Sequence, residues 1–235
     1  MNINQNTATQ SRSRAEITNA FLRGVYQWMS AGLGITAIVS LFVASSPTML
    51  AFIFGNQLVF FGLILGQLGM VFYLSARISK LSAQAAAGLF LLYSALNGAT
   101  LASIFFVYEM GSIMQAFFTA AGMFATISIY GAVTKRDLTG IGSFCMMGLF
   151  GIIIASIVNI FLGSDQLSFG ISIIGVIIFV GLTAYDTQKL KVMGESVPHD
   201  DALAVRRGTI LGALTLYLDF INLFIMLLRI MGDRR

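Results

Sequence analysis

Two aspartates lie inside stretches of sequence that are otherwise nearly free of charge. Asp186 falls near the end of the run FVGLTAYDTQKL, and Asp219 in the middle of LGALTLYLDFINLF. An ionisable residue within an apolar span is expensive to keep and marks a functional site by default. Each has polar neighbours at helical spacing. Thr183, Asp186 and Thr187 fall at i, i+3 and i+4, while Thr215, Asp219 and Asn222 fall at i, i+4 and i+7, so each set lines one helix face. Two adjacent antiparallel helices can turn those faces toward each other. Paired carboxylates have three chemistries open to them. They can hold a proton between them, because two dry carboxylates cannot both ionise cheaply and so titrate as a unit. They can offer oxygens to a hard cation such as calcium, although two carboxylates fall short of its 6–8 ligands and backbone, Asn222 or water must supply the rest. They can also form the acid–base couple of an intramembrane aspartyl protease. Asp186 alone has a simpler role open, pairing with Lys189 at i+3; Asp219 has no Lys or Arg within one turn.

The elements that carry these residues follow from composition. The 235 residues are 57% hydrophobic and 10% charged, with a mean hydropathy of +0.86, against about 25% charged in an ordinary soluble domain. Disorder, collagen, a disulfide scaffold and an unaided soluble fold are excluded together. The long unbroken apolar runs exclude a transmembrane barrel, whose strands are short and alternating. An all-α membrane bundle remains, and two prolines with twenty-four glycines suit helices packed closely in lipid. The single cysteine, Cys145, lies in an apolar run, so it forms no intramolecular disulfide and reads as a small core residue. The pI of about 9.4 reflects basic residues between apolar runs, which are topology signals and not a nucleic-acid surface.

A helix needs about 20 apolar residues to cross ~30 Å of hydrocarbon. Seven stretches qualify: Val25–Ser45, Leu58–Ser75, Ala85–Tyr108, Ile113–Val133, Leu138–Leu162, Phe169–Lys189 and Thr209–Ile230. The chain therefore divides into a disordered cytoplasmic tail, residues 1–24, and a single seven-helix transmembrane domain, 25–235. The polar start, MNINQNTATQSRSR, lacks the apolar core of a signal peptide. The connections are short turns, such as Ser46-Pro47-Thr48, except for a long one at Leu190–Gly208 that holds Pro198 and a solvated His199. With the N-terminus inside, Arg12, Arg14, Arg23, Arg77, Lys80, Lys135, Arg136, Lys189, Lys191, Arg206 and Arg207 are all cytoplasmic. The opposite side holds Arg229, Arg234 and Arg235, so the positive-inside rule is obeyed with one blemish at the C-terminus. That blemish would also suit a re-entrant last segment.

A ruler sets a condition on the aspartates. Asp219 lies ten residues beyond Thr209, whereas Asp186 lies three before Lys189. For the carboxylates to meet, the sixth helix must run past the nominal membrane edge, to about Met193 with Gly194 ending it. Among the other polar residues within spans, Asn97, Thr100 and Ser103 share a face that could line a hydrated path. The competing reading for these three and for Ser94, Gln67 and Asn159, and the one favoured for most of them, is interhelical hydrogen bonding, worth ~0.6 kcal/mol each. Gly62 and Gly66 form a small-xxx-small pair, read as close helix packing.

The run Ala184-Tyr185-Asp186-Thr187-Gln188 and the later Leu216-Tyr217-Leu218-Asp219-Phe220-Ile221-Asn222-Leu223-Phe224 resemble the Bax-inhibitor (transmembrane Bax inhibitor motif) family, and most of all its bacterial inner-membrane branch. Leu74-Ser75-Ala76-Arg77, Tyr93-Ser94-Ala95-Leu96-Asn97-Gly98 and Asn159-Ile160-Phe161 match more weakly, and the likeness runs from about residue 20 to 232. What the resemblance implies is a central C-terminal helix wrapped by the other six, in a bacterial inner membrane. It further implies a pH-sensitive calcium leak in which Asp186 and Asp219 are sensor and gate. With the shared proton in place the two helices are held together; with it gone, repulsion separates them and Arg77 latches onto Asp186. Some relatives carry a glutamate near the position of Gln67, which here is a neutral amide.

Two other functions compete. The resemblance also implies regulation of a membrane-bound ATP-dependent protease, with the polar N-terminal tail as the segment engaged. The aspartyl protease reading matches Tyr185-Asp186, but the second half should read Gly-x-Gly-Asp and instead reads Leu216-Tyr217-Leu218-Asp219. No Pro-Ala-Leu element follows either proline. The expectation is a non-enzymatic channel without a cofactor, whose partners are calcium ions, protons and the bilayer. Reporter fusions at Asp137 and Asp165 should report opposite sides of the membrane; the same side for both would refute the seven-span topology.

Overall fold

The computed structural model describes residues 3–196 and 201–235, with side chains from residue 16 onward. Pro198 and His199, expected in the long connection, lie outside the described residues. The described chain is helical throughout, with one isolated bridge, Tyr108–Arg234, near its C-terminus. The helices are α1 (Ile3–Ser45), α2 (Pro47–Phe54), α3 (Gln57–Arg77), α4 (Ala83–Leu101), α5 (Ile104–Val107), α6 (Met110–Val133), α7 (Thr139–Leu162), α8 (Asp165–Ser196) and α9 (Ala202–Met231). Hydrocarbon offers no hydrogen bonds, so a spanning backbone must satisfy its own polar groups, and helices do so within each segment.

Seven of these stretches are long and apolar enough to cross a membrane: Glu16–Ser45, Gln57–Lys80, Ala83–Val107, Met110–Val133, Thr139–Leu162, Asp165–Ser196 and Ala202–Met231. The chain is an all-α membrane protein with the seven spans that its hydropathy implies. The last is the most buried, at 72% of its apolar stretch, and its 30 unbroken residues rise ~45 Å, long enough to cross a membrane.

Helix ends differ from expectation. Residues 16–24, expected in a disordered tail, belong to α1, and Thr18 and Phe21 are buried there at 5% and 4% exposure. Thr18, Phe21, Val25, Met29, Thr36, Ser40 and Val43 form one buried stripe at helical spacing, so the apolar face continues past Arg23. The expected connection Leu190–Gly208 is mostly helix, since α8 runs to Ser196 and α9 starts at Ala202. Gly194 does not end α8; it lies inside the helix beside the Phe21 ring. The turn expected at Ser46-Pro47-Thr48 opens a short helix instead. Ser46 Oγ accepts from Met49 N and Pro47 takes the first helical position, where its missing N–H costs nothing. The third span breaks between α4 and α5 at Ala102-Ser103.

The contacts divide the chain into two compact units, residues 1–103 with 190–214, and 104–189 with 215–235. In the first, α1 packs along α4. Thr36 Oγ1 donates to Ser94 O at 2.9 Å and to Gly32 O at 3.0 Å, and a methyl on Gly98 would stand 2.5 Å from Thr36 O. Val43, Ile53, Ala99 and Ala102 close the far end of this unit. At the charged end, Arg207 Nε donates to Leu81 O at 2.6 Å, and Gly212 meets Leu190 and Val25. The pair Gly62 and Gly66, expected to mark close packing, has open space where side chains would be; the small residues that admit a neighbouring backbone are elsewhere. In the second unit α6, α7 and the parts of α8 and α9 it contains surround the aspartates.

These glycines make opposite predictions. Gly98→Ala forces a methyl against backbone that cannot yield and should cost about 1–3 kcal/mol. Gly62→Ala meets nothing and should stay within about 0.5 kcal/mol of the parent. Thermal unfolding of both variants in detergent measures the difference.

Candidate functional site

The second unit brings the two aspartates together. Asp186 on α8 and Asp219 on α9 are 8% and 5% exposed, and their carboxyl groups lie beside each other. A carboxylate has only acceptors, so two carboxyl groups this close can hydrogen-bond only while one of them keeps its proton. Lys189, the i+3 partner considered for Asp186, is near enough for its charge to act on that carboxyl, and its Nζ also lies 5.8 Å from the centre of the Tyr185 ring. The pairing becomes possible because α8 continues beyond Lys189, as the ruler demanded.

Four residues of the run Ala184–Gln188 make contacts that hold this geometry. Ala184 O lies where a side chain on Gly131 of α6 would be, so α6 and α8 touch backbone to backbone. The Tyr185 ring fills the space above Gly142 of α7 in the same way. Asp186 reaches Asp219. Thr187 is fully buried. Gln188 clamps the turn between α6 and α7: its Oε1 accepts from Leu138 N at 2.9 Å and its Nε2 donates to Arg136 O at 2.8 Å. Beside that clamp Asp137 Oδ1 accepts from Thr139 Oγ1 at 2.6 Å and from Thr139 N at 2.9 Å, which holds its exposed carboxyl below the usual carboxylate range.

Asp219 is fixed from the other side by rings. Phe220 meets Phe117 and Phe124 edge-on, at 5.5 and 5.6 Å between centres, and Phe224 meets Phe117 at 6.2 Å. Such pairs contribute roughly 0.5–1.5 kcal/mol each beyond their buried area. They lock the register of α9 against α6, so Asp219 has little freedom to retreat.

Three buried side-chain atoms have no hydrogen-bond partner among the described residues: Asp219 Oδ2, Thr187 Oγ1 and Ser128 Oγ. Ser128 lies on α6 one turn from Phe124, which touches Phe220, and one turn from Gly131, which touches Ala184. It therefore stands at the level of the aspartates. An unsatisfied buried polar group costs about 1–3 kcal/mol, and three in one slice of the helices is a polar locus without internal satisfaction. Sequence reading did not single out Ser128, because a serine in an apolar helix ordinarily bonds its own backbone.

The other expected site residues have their own contacts within their units. Arg77 is exposed in the last turn of α3, where its charge complements the helix dipole. Asn97 is buried on α4. Thr100 Oγ1 donates to Asn97 O at 2.9 Å and accepts from Gln67 Nε2 at 3.4 Å, and the same amide donates to Leu96 O at 3.2 Å, tying α3 to α4. Asn222 Nδ2 donates to Leu218 O at 2.8 Å, within its own helix. Cys145 is buried against Gly181, as a small core residue would be. Among the described residues no three of His, Cys, Asp or Glu gather closely enough to hold a metal ion. The aspartates supply part of a coordination shell and no more.

Fold and site together define a polytopic helical membrane protein built around a buried pair of carboxyl groups. The chain belongs to the Bax-inhibitor family: the family described as inhibitor of apoptosis-promoting Bax1 matches residues 18–235. The inner membrane protein YbhL of Escherichia coli K12 is 54% identical over 215 residues, covering 92% of each chain. A protein of Borreliella burgdorferi is 48% identical over 227 residues, 97% of each chain. A membrane protein of Streptococcus pyogenes serotype M1 is 38% identical over 218 residues, 91% of this chain and 93% of its own.

The clamp on the α6–α7 turn is open to test. Gln188→Ala removes two hydrogen bonds of about 1 kcal/mol each. Amide exchange at residues 136–139 should accelerate while that of the helices on either side is unchanged.

Proposed function

We propose that this chain is a multi-pass protein of a bacterial inner membrane, with its N-terminus in the cytoplasm, that leaks calcium under the control of a proton held between Asp186 and Asp219. The observation that carries the reading is the burial of these two carboxyl groups beside each other on different helices. The family resemblance supports the ion and the gating role. The inner membrane rests on the name of the E. coli relative, and the orientation on the distribution of Lys and Arg.

With the proton in place the pair is a hydrogen bond that ties α8 to α9. Loss of the proton leaves two negative charges in contact in a site that excludes water, and their repulsion drives the helices apart. The pair is thus a bistable element with its switch built in. The sign follows: flux is low where the proton is retained and rises as pH increases. Asp219 Oδ2, Thr187 Oγ1 and Ser128 Oγ add free oxygens at the same level, which suits the passage of a hard cation better than its retention. No covalent step is involved, and the reading makes the chain a conduit and not an enzyme.

Proteoliposomes loaded with a calcium dye and scanned over roughly pH 6 to 8 test the reading. Asp219→Asn and Asp186→Asn keep volume and hydrogen-bonding capacity, so both should fold. Each should flatten the pH dependence, and the double variant should differ from either single by less than about twofold, because the pair acts as one unit. A single variant that keeps the parental pH profile would reduce the pair to a structural contact.

A further inference from the structure

Arg229, Arg234 and Arg235 are the basic residues that the charge distribution leaves unexplained. Two of them stand at one end of a groove of about 670 Å³ bounded by α7, α8 and α9. The groove is floored by Leu149 and Phe179 and runs to Ile160, Ser168, Arg229 and Arg234. Leu149 to Ile160 is eleven residues, or ~16 Å of rise, about one leaflet's share of the ~30 Å hydrocarbon. Its wall on α7 opens outward: Ile153, Ile157 and Ile160 are 45%, 52% and 78% exposed.

The chemistry of the groove changes along its length. Its inner polar groups are spent on the protein itself, Ser156 Oγ donating to Ile152 O at 2.6 Å and Asn222 Nδ2 to Leu218 O at 2.8 Å. The interior therefore presents an apolar surface. Its charged lining residues are Arg229 and Arg234, with no carboxylate among them. Arg229 is exposed and has no hydrogen bond or ion pair among the described residues. Arg234 forms an isolated backbone bridge with Tyr108, and its guanidinium lies 3.4 Å from Asp165, with both members of that pair largely in solvent. Such an exposed pair contributes at most about 1 kcal/mol and yields readily to a better anion.

The position of Arg234 is set by backbone. Asp233 O accepts from Glu109 N at 3.2 Å, Arg235 N donates to Val107 O at 3.0 Å, and Asp233 N donates to Ser112 Oγ at 3.1 Å. Glu109, Asp165 and Asp233 are the acids of this end, and none lines the groove. An apolar channel one leaflet long, open to the lipid and ended by two guanidinium groups, has the complementary shape and charge of one kind of molecule.

We propose that this groove binds an anionic phospholipid, with an acyl chain lying between α7 and α9 and the phosphate on Arg229 and Arg234. Guanidinium groups hold phosphate oxygens in a fixed two-pronged geometry, and the charge at this end of the chain then serves recognition of a lipid headgroup.

Native mass spectrometry of the full chain in detergent, with equimolar palmitoyl-oleoyl phosphatidylglycerol and phosphatidylcholine, tests the proposal. The parent should retain phosphatidylglycerol at least about fivefold better. The Arg229→Gln/Arg234→Gln variant should retain both lipids equally, with unchanged helicity by circular dichroism. Ile157→Trp, which narrows the wall and leaves the arginines intact, should lower retention of both lipids. Equal retention by the parent, or a preference that survives the double substitution, overturns the proposal. Displacement of the lipid by millimolar inorganic phosphate would also overturn it, since the site would then be one for a soluble anion. If the double variant fails to fold, Arg229→Lys/Arg234→Lys takes its place: it keeps charge, loses the two-pronged geometry and should show an intermediate preference; an undiminished one counts against the proposal.

Discussion

The close approach of Asp186 and Asp219 is the constraint on which the second unit depends, because two carboxyl groups in a dry place tolerate contact only when every neighbouring distance is controlled. The backbone touch of Ala184 on Gly131 sets α8 against α6, and the Tyr185 ring over Gly142 sets it against α7. The phenylalanine edges on Phe220 set α9 against α6. A shift of one residue in any of these would point a carboxyl group at an apolar wall, where an unpaired charge is several kcal/mol uphill. Tight packing and the polar pair are therefore one design: the first supplies the precision that the second requires.

Lipid tails are as apolar as leucine, so the spans gain little by hiding apolar side chains from them. Close approach and interhelical polar contacts hold them together instead. Thr36 on Ser94 O, Gln67 on Leu96 O and Gly98 beneath Thr36 are instances in the first unit. The outward faces remain large and apolar, as at Phe72, Phe144 and Phe161.

Much of this was legible in the sequence, and the failures have physical causes. The spans were readable because hydropathy over some twenty residues measures the membrane's own requirement. The aspartates were readable because burying charge is costly enough that it is rarely accidental. Helix ends were not, since continuity past Lys189 is decided by packing, as of Phe21 on Gly194, and not by the loss of apolar character. The α2 start carried its signal in Ser46-Pro47, which hydropathy alone overlooks. Gly62 and Gly66 show that a small pair permits close packing without choosing the face on which it occurs; Gly131 and Gly142 do pack closely, yet no spacing sets them apart. Ser128 matters through what its neighbours touch, which one chain of letters does not record.

The charged end of the first unit has a different physical basis from the rest. There Phe21 lies against Gly194 and Gly208, and Leu190 against Gly212 and Val25, while Arg23, Lys191, Arg206 and Arg207 stand close by in sequence. Those charges mark the margin where water replaces lipid, so the small cluster is held by water's cohesion, whereas the spans are held by contact with one another. Burial from water carries a large heat-capacity change, and its strength passes through a maximum with temperature; packing in hydrocarbon has no such water to release. One polypeptide thus combines two thermal characters. Cooling and urea should therefore act first on the helix ends around Phe21.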